Sequence, residues 1–178
     1  CSEEFLAWLT DPVLNGAGAL NDFGCYGANL ATWLLKGQKP VSVSALIQTI
    51  KPDVYPKVDD EATILISYPK AQVVIQASWN WPYSRKEMEL YGKTGAVFCK
   101  DGTNMIFREN EKAAPRTIAA PALPTERNDP FAYFAGVIRG SIKPAPWDLS
   151  SPETNEMVVR ILDAAKRSAK SGKLVVLD

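Results

Sequence analysis

A carboxylate and a phenol stand four residues apart near the beginning of the chain, where the sequence has the pattern of a helix. Asp22 and Tyr26 are followed by Asn29 and Trp33, at positions i, i+4, i+7 and i+11. At about 100° per residue these positions share one edge of a helix, so their side chains line up. A carboxylate beside a phenol can orient a hydroxyl group and hold or move its proton. Asp22 and Tyr26 are therefore the candidate catalytic residues, and Asn29 is a candidate substrate contact.

The segment from Gly16 to Gly37 must position this row, and its pattern predicts a single helix. Apolar residues recur on the other side at the spacing of a helix that packs against a core. They are Leu20, Phe23, Gly27, Leu30, Ala31 and Leu34. Gly37 is expected to end the helix in the left-handed conformation. Gly16 and Gly18 are a weak sign of a phosphate loop, because no apolar strand precedes them and no third glycine follows at the required spacing.

The composition limits the classes of function that the chain can have. Its 178 residues are enough for a single domain over residues 1–178 that buries its own core. The 20 basic and 20 acidic residues cancel, so we expect neither nucleic acid nor an anionic membrane as a partner. The chain contains no histidine and three scattered cysteines. Histidine-based triads and histidine-ligated metals are excluded, and no metal site is predicted.

The cysteines also bear on the compartment. Their odd number and wide spacing favour free thiols over a disulfide framework, so a cytoplasmic location is the default expectation. No apolar run reaches the roughly 18 residues that a membrane-spanning helix needs, and no leader pattern is present. Because the chain begins at Cys1 without Met, we expect it to be a piece of a longer protein. An export signal upstream of Cys1 is left open.

From residue 41 to residue 107 the hydrophobic period changes from that of a helix to that of a strand. Apolar and polar residues alternate, as in strands with one buried face. The predicted strands cover 41–48, 62–68, 72–81, 86–91, 96–100 and 104–108. Such a meander predicts an α+β fold, a mainly antiparallel open sheet with helices packed on one face. Its polar residues, such as Gln72, Gln76 and Ser78, are expected to face a second subunit in a homo-oligomer.

The remainder of the chain predicts an edge segment, two helices and a last strand. The Pro- and Ala-rich residues 109–128 are expected to form an extended edge or loop. A short helix is predicted from Asp129 to Gly140, with Phe131, Phe134, Ala135 and Ile138 on one side. Ser151-Pro152-Glu153 has the pattern of a helix start. This long helix is expected to turn Val158, Ile161, Leu162 and Ala165 inward, and residues 174–177 to form the last strand.

Aromatic residues cluster where the third long strand ends. Trp79, Trp81 and Tyr83 are candidates for stacking on a sugar ring. Aromatic residues at such a position more often belong to a core or an interface, so the stacking role competes with this simpler interpretation. The same comparison applies to Asn29, which is more often a packing or supporting residue than a ligand.

Several short motifs occur in a fixed order along nearly the whole chain. They are Trp8–Asp11, Gly16–Tyr26, Leu30–Leu35, Val58–Ala62, Glu89–Gly92 with Gly95, and Ile161–Ser168 with Gly172–Val175. Together they resemble the C-terminal domain of the Gfo/Idh/MocA oxidoreductases. The resemblance implies that this chain forms the substrate site and a subunit interface. It also implies that an N-terminal Rossmann domain, absent from this chain, binds NAD or NADP.

Under this resemblance the full-length protein is an enzyme acting on a small sugar or polyol, and the fragment alone is inactive. Members of the family carry Asp and, four residues later, His on this helix, and both act with a lysine of the N-terminal half. This chain has Asp22 and Tyr26, and the glucose-fructose oxidoreductase branch is similar in having Tyr there. A phenol has a pKa of about 10, so acting as a base near neutrality requires a cation such as that lysine. Trp8 matches a family tryptophan and is a further candidate substrate contact, although Leu9 stands where many relatives have Arg.

Two other functions are compatible with the same sequence. The chain is alternatively a non-catalytic sugar-binding or scaffold module, which would have no Rossmann half encoded upstream of Cys1. A third possibility is an NAD-dependent glycosidase of the same superfamily, in which the cofactor is recycled. Analysis of the products separates glycoside cleavage from net oxidation.

Overall fold

The computed structural model describes residues 2–14, 16 and 18–177. In chain order its elements are α1 (Glu3–Leu9), α2 (Ala19–Asp22), α3 (Gly24–Leu34), β1 (Ser42–Gln48), β2 (Glu61–Tyr68), β3 (Ala71–Ser78), β4 (Met88–Tyr91), β5 (Ala96–Cys99), β6 (Asn104–Arg108), β7 (Arg116–Ala119), α4 (Thr125–Asn128), α5 (Pro130–Ile138), α6 (Pro152–Ser171) and β8 (Val175–Val176). Helices and antiparallel strands confirm the predicted α+β class.

The chain divides into two compact units. Unit 1 comprises Cys1–Asn80 and Pro144–Asp178, and unit 2 comprises Trp81–Lys143. Each unit has its own four-stranded sheet, in the order β3-β2-β1-β8 in unit 1 and β4-β5-β6-β7 in unit 2. The meander predicted over residues 41–107 is therefore shared between two sheets. The single domain over residues 1–178 stays a prediction.

The sheet of unit 1 buries one face against helices. Strands β1 and β2 are antiparallel, and so are β2 and β3, which are joined by a two-residue turn between Tyr68 and Ala71. The inward residues of the strands and of α2, α3 and α6 form one apolar cluster. Its largest fully buried members include Leu20, Val43, Ile64, Ile66 and Ile161. The period-2 pattern thus predicted the buried face of β2 and β3 correctly, whereas in and beside β1 the predicted inward residues Val41 and Ile47 are exposed and Ser42 is buried.

The predicted single helix over residues 16–37 is divided, and its buried stripe is shifted. Phe23 separates α2 from α3, and the glycines at 24 and 27 lower the helix propensity at this point. The buried positions of α2 and α3 are Ala19, Leu20, Gly24, Ala28, Ala31 and Thr32, whereas Phe23, predicted inward, is exposed. Small residues occupy most of these positions because the helix lies close to the sheet. A Cβ at Gly27 would stand 2.6 Å from the Ile75 side chain.

The long C-terminal helix follows its sequence pattern. Ser151 caps α6 by accepting a hydrogen bond from the Thr154 N–H, and Gly172 ends it with φ of 67°. The four residues predicted inward, Val158, Ile161, Leu162 and Ala165, are all buried. The last strand is shorter than predicted, and β8 pairs with β1 through two residues.

Unit 2 is a small sheet with two short helices. Strands β4, β5 and β6 match the predicted strands closely, and β7 forms the edge that the Pro- and Ala-rich stretch predicted. Asp129 caps α5 by accepting from two backbone N–H groups. Phe131, Phe134 and Ile138, predicted to share one side of α5, are exposed.

No helix within the described part of the chain combines the length and apolar character needed to cross a membrane.

Candidate functional site

Asp22 lies at the end of the one-turn helix α2, and the beginning of that helix is held from outside. Its N-cap residue is Gly18, which has no side chain to cap it. Asp59 replaces the missing cap, because its carboxylate accepts from Leu20 N–H at 2.7 Å and its carbonyl accepts from Ala19 N–H at 2.9 Å. Two acceptors from one residue, a carboxylate and a backbone carbonyl, hold the start of this short helix and so constrain the position of its last residue.

The carboxylate of Asp22 contacts Trp79. The indole Nε1–H of Trp79 donates to Asp22 Oδ2 at 2.9 Å. The Trp79 ring also packs against Tyr55, with ring centroids 5.0 Å apart. A carboxylate has acceptor capacity beyond one hydrogen bond, so this contact orients Asp22 while leaving it able to bind a substrate hydroxyl.

Tyr26 lies in the first turn of α3 and is 59% exposed. Its ring packs against that of Phe23, with centroids 6.4 Å apart and the two planes tilted by 41°. The intervening Cys25 turns inward, where its Sγ–H donates to the Asp22 carbonyl at 3.3 Å. Burial, followed by the negative charge of Asp22, raises the pKa of the Cys25 thiol. The half-buried Cys25 thiol is therefore protonated at neutral pH.

Asn29 and Trp8 are placed differently. The Asn29 side-chain N–H donates to the Leu149 carbonyl at 2.8 Å, so its amide joins α3 to the segment before α6. This contact favours the interpretation of Asn29 as a packing or supporting residue. Trp8 lies on α1, where its ring packs against Phe5 with centroids 5.8 Å apart. Substrate contacts by Asn29 and Trp8 stay predictions.

Trp81 and Tyr83 belong to unit 2. The guanidinium of Arg85 lies over the Trp81 ring, 3.6 Å from its centroid, and also pairs with Glu87 at 3.0 Å. One face of that indole is therefore occupied by a cation. Tyr83 is exposed. Stacking of either ring on a sugar remains a prediction.

Asp60 holds Trp79 by its backbone. Its carbonyl accepts from the Trp79 N–H at 2.9 Å, and its fully buried carboxylate accepts from Ile50 and Lys51 N–H at 2.7 Å each. Burial alone would raise the pKa of Asp60, but these hydrogen bonds outweigh it and lower the pKa. The roles of Asp59 and Asp60 were missed from the sequence. Two carboxylates directly before a predicted strand were the available signal.

Gly18 has a packing reason that involves no ligand. A Cβ at this position would overlap the carbonyl of Asp59, so the glycine allows the two backbones to approach. Within residues 2–14, 16 and 18–177, no group of three or more Cys, Asp or Glu side chains is arranged to hold a metal ion.

Comparison with known protein families assigns the chain to a family. The sequence model of the GFO/IDH/MocA C-terminal domain matches residues 2–98. The chain belongs to the Gfo/Idh/MocA family. Its relationship to these oxidoreductases, predicted from the short motifs, is thereby confirmed. No curated protein sequence matches significantly.

Solved Gfo/Idh/MocA-like structures share the fold. The aldose-aldose oxidoreductase of Caulobacter crescentus, solved with glycerol, is 22% identical with a TM-score of 0.75, over 96% of this chain and 50% of that one. An inositol dehydrogenase homologue from Azotobacter vinelandii, solved with NAD+, is 18% identical with a TM-score of 0.77, over 99% and 53%. An NAD-binding oxidoreductase from Klebsiella pneumoniae is 20% identical with a TM-score of 0.74, over 96% of this chain and 53% of that one. The chain thus spans about half the length of these proteins.

Proposed function

We propose that this chain is the substrate-binding half of an NAD(P)-dependent oxidoreductase that acts on a sugar or polyol. The observation that carries the proposal is the oriented carboxylate of Asp22, held by Trp79 at 2.9 Å four residues before the exposed phenol of Tyr26. Glycerol in the Caulobacter structure and the name of the Azotobacter homologue support a polyhydroxy substrate. The upstream partner in this proposal is a Rossmann domain of the same protein.

The residues of this chain fit the alcohol side of such a reaction. When bound, NAD or NADP supplies the hydride acceptor. The space beside Gly18 is occupied by the backbone of Asp59, which leaves no room there for a phosphate group. We therefore assign the binding of the cofactor's phosphates to the upstream domain. With the lysine expected upstream beside it, the Tyr26 phenolate takes the proton of the reacting hydroxyl in oxidation, and the resulting phenol returns that proton in reduction. Asp22 accepts a hydrogen bond from a substrate hydroxyl or from the lysine expected upstream, and so fixes the reacting carbon.

The test uses the full-length protein and a panel of aldoses and polyols with NAD+ and NADP+. Replacement Tyr26→Phe removes one oxygen and keeps the ring. We expect kcat to decrease about 100-fold or more, as for loss of a general acid or base, with KM little changed. Tyr91→Phe is the matched control, because the Tyr91 hydroxyl donates to Glu89 in unit 2.

Three outcomes would contradict parts of this proposal. Wild-type turnover by the Tyr26→Phe variant would remove Tyr26 from the mechanism. Sugar binding without cofactor reduction would favour the non-catalytic module. Cleaved glycoside without net NAD(P)H would favour the glycosidase.

A second copy of the chain is the partner we propose for the open face of the unit 1 sheet. Leu46, Leu65 and Val74 point away from the helices and are 65%, 49% and 61% exposed. Leu65 lies directly opposite Val74 in the β2–β3 register. Contiguous apolar groups on an exposed sheet face are typical of an interface, and a two-fold copy would set this patch against itself. A cytoplasmic location also remains a proposal.

A further inference from the structure

Two consecutive residues anchor both partners of the hydrogen bond between Asp22 and Trp79. Asp59 holds the start of α2, the helix that ends at Asp22. Asp60 holds the backbone of Trp79 through its carbonyl. The indole and the carboxylate come from segments 57 residues apart, yet both segments are held by hydrogen bonds to the adjacent residues Asp59 and Asp60.

The two anchors differ in how replaceable they are. Asp60 is fully buried and also accepts from the turn at Ile50 and Lys51, so its loss would affect the whole unit. Asp59 is partly exposed, and within the described residues its carboxylate accepts from the backbone N–H of Leu20. Because α2 has only four residues, a change in its first turn moves its last residue directly. Asp59 is therefore the residue that can be altered with the most local effect on Asp22.

We propose that Asp59 is a positioning residue of the candidate active site, which keeps the Asp22 carboxylate within hydrogen-bond reach of Trp79. It acts through Asp22 and does not touch the substrate. The kinetic part of this inference rests on the proposed function, whereas its structural part does not. Asn at this position keeps an acceptor oxygen for Leu20 N–H, and Ala removes it.

The structural test follows the side-chain N–H of Trp79 by 15N NMR in the full-length protein. The resonance is assigned from its disappearance in Trp79→Phe. In Asp59→Ala we expect it to move toward the position found in Asp22→Ala and to exchange faster with solvent. Asp59→Asn should restore the wild-type position. The matched control is Asp129→Ala, which removes the cap of α5 in unit 2, where Asp129 accepts from Phe131 and Ala132 N–H.

The kinetic test compares the same variants in the NAD(P)-linked assay. Misplacement of a reacting group by a fraction of an ångström lowers turnover without removing binding contacts. We expect kcat to decrease about tenfold in Asp59→Ala, with KM within about twofold, and to recover in Asp59→Asn. Asp129→Ala should leave both constants unchanged.

Each outcome bears on the proposal. An unmoved Trp79 resonance in folded Asp59→Ala overturns it, whatever the activity. If that variant does not fold, Asp59→Glu carries the same expectation, because the extra methylene displaces the carboxylate from Leu20 N–H. A wild-type protein inactive toward every sugar and polyol contradicts the proposed function, while the indole resonance still decides the role of Asp59. A moved resonance with wild-type kcat overturns the catalytic relevance of the position.

Discussion

Trp79 Nε1–H donates a hydrogen bond to Asp22 Oδ2 over 2.9 Å, joining residues 57 positions apart. One of them was predicted as a catalytic carboxylate and the other as a platform for a sugar ring. The contact gives Trp79 a different and more specific task, because its polar edge is directed at Asp22. Its ring is held from the side by Tyr55. A hydrogen bond between an indole and a carboxylate is charge-assisted, and so it fixes the carboxylate more firmly than a neutral donor would.

Replacement Trp79→Phe tests this orienting role. Phenylalanine keeps a ring against Tyr55 but removes the only donor of the indole. A hydrogen bond to a charged group contributes about 1.5–3 kcal/mol, so we expect kcat of the full-length enzyme to fall by on the order of tenfold while the fold is kept. Steady-state kinetics and thermal unfolding measure the two effects. Trp147→Phe is the control, and an equal loss of activity in both variants would contradict a specific role for Trp79.

The reactivity of the Cys25 thiol depends on the charge of Asp22. Burial first and the Asp22 charge second raise the pKa of its thiol. The Asp22→Asn variant removes the charge, lowers that pKa and increases the thiolate fraction. We expect alkylation of Cys25 by iodoacetamide at pH 8 to become about two- to fivefold faster, as followed by peptide mass spectrometry. Cys99, in unit 2, serves as the internal control. A Cys25 rate that is unchanged relative to Cys99 would show that the charge does not reach the thiol.

Regular periodicity allowed much of unit 1 to be predicted from the sequence. In β2 the alternating residues Ala62, Ile64 and Ile66 are buried as expected, because the face of a strand follows directly from residue parity. Helix α6 was equally predictable from the sequence, since its Ser-Pro start and its glycine end are local signals. Asp22 and Tyr26 were singled out by their spacing, and their catalytic roles stay predictions.

Close approach and distant capping were not readable in the same way. The opening helix turns Gly24 and Ala28 inward and leaves Phe23 exposed, because the distance to the sheet favours small side chains over the most apolar ones. The cap of α2 comes from Asp59, 39 residues beyond Leu20. Nothing in the local sequence identifies such a partner, since it depends on the packing of β2 against the helix.

Asp60 makes unit 1 sensitive to acid. Its usual pKa of 3.8 is lowered in the folded protein, where burial is outweighed by hydrogen bonds from Ile50 and Lys51. Its contribution is therefore complete above the unfolded value and is lost as the pH falls through the lower folded value. We expect Asp60→Asn to lower the free energy of unfolding by roughly 2–4 kcal/mol at pH 7. The difference from wild type should narrow below about pH 4, as measured by urea unfolding.

The exposed Asp101 provides the matched control for that experiment. Its carboxylate also accepts from two backbone N–H groups, those of Thr103 and Asn104, but water can replace these contacts. Asp101→Asn should therefore have much the smaller effect at pH 7. Equal destabilisation by both variants would show that burial does not set the contribution of Asp60.

The open face of the unit 1 sheet predicts that the full-length protein forms at least a dimer. Lysine at position 65 would place a charge in the centre of the proposed interface, opposite Val74. We expect Leu65→Lys to raise the dissociation constant by on the order of thirtyfold or more, as followed by light scattering at micromolar concentration. Val159→Lys is the control, because Val159 is also an exposed apolar residue, 65% exposed against 49% for Leu65, and lies on α6. A monomeric wild-type protein, or equal dissociation by both variants, would contradict an interface on this face.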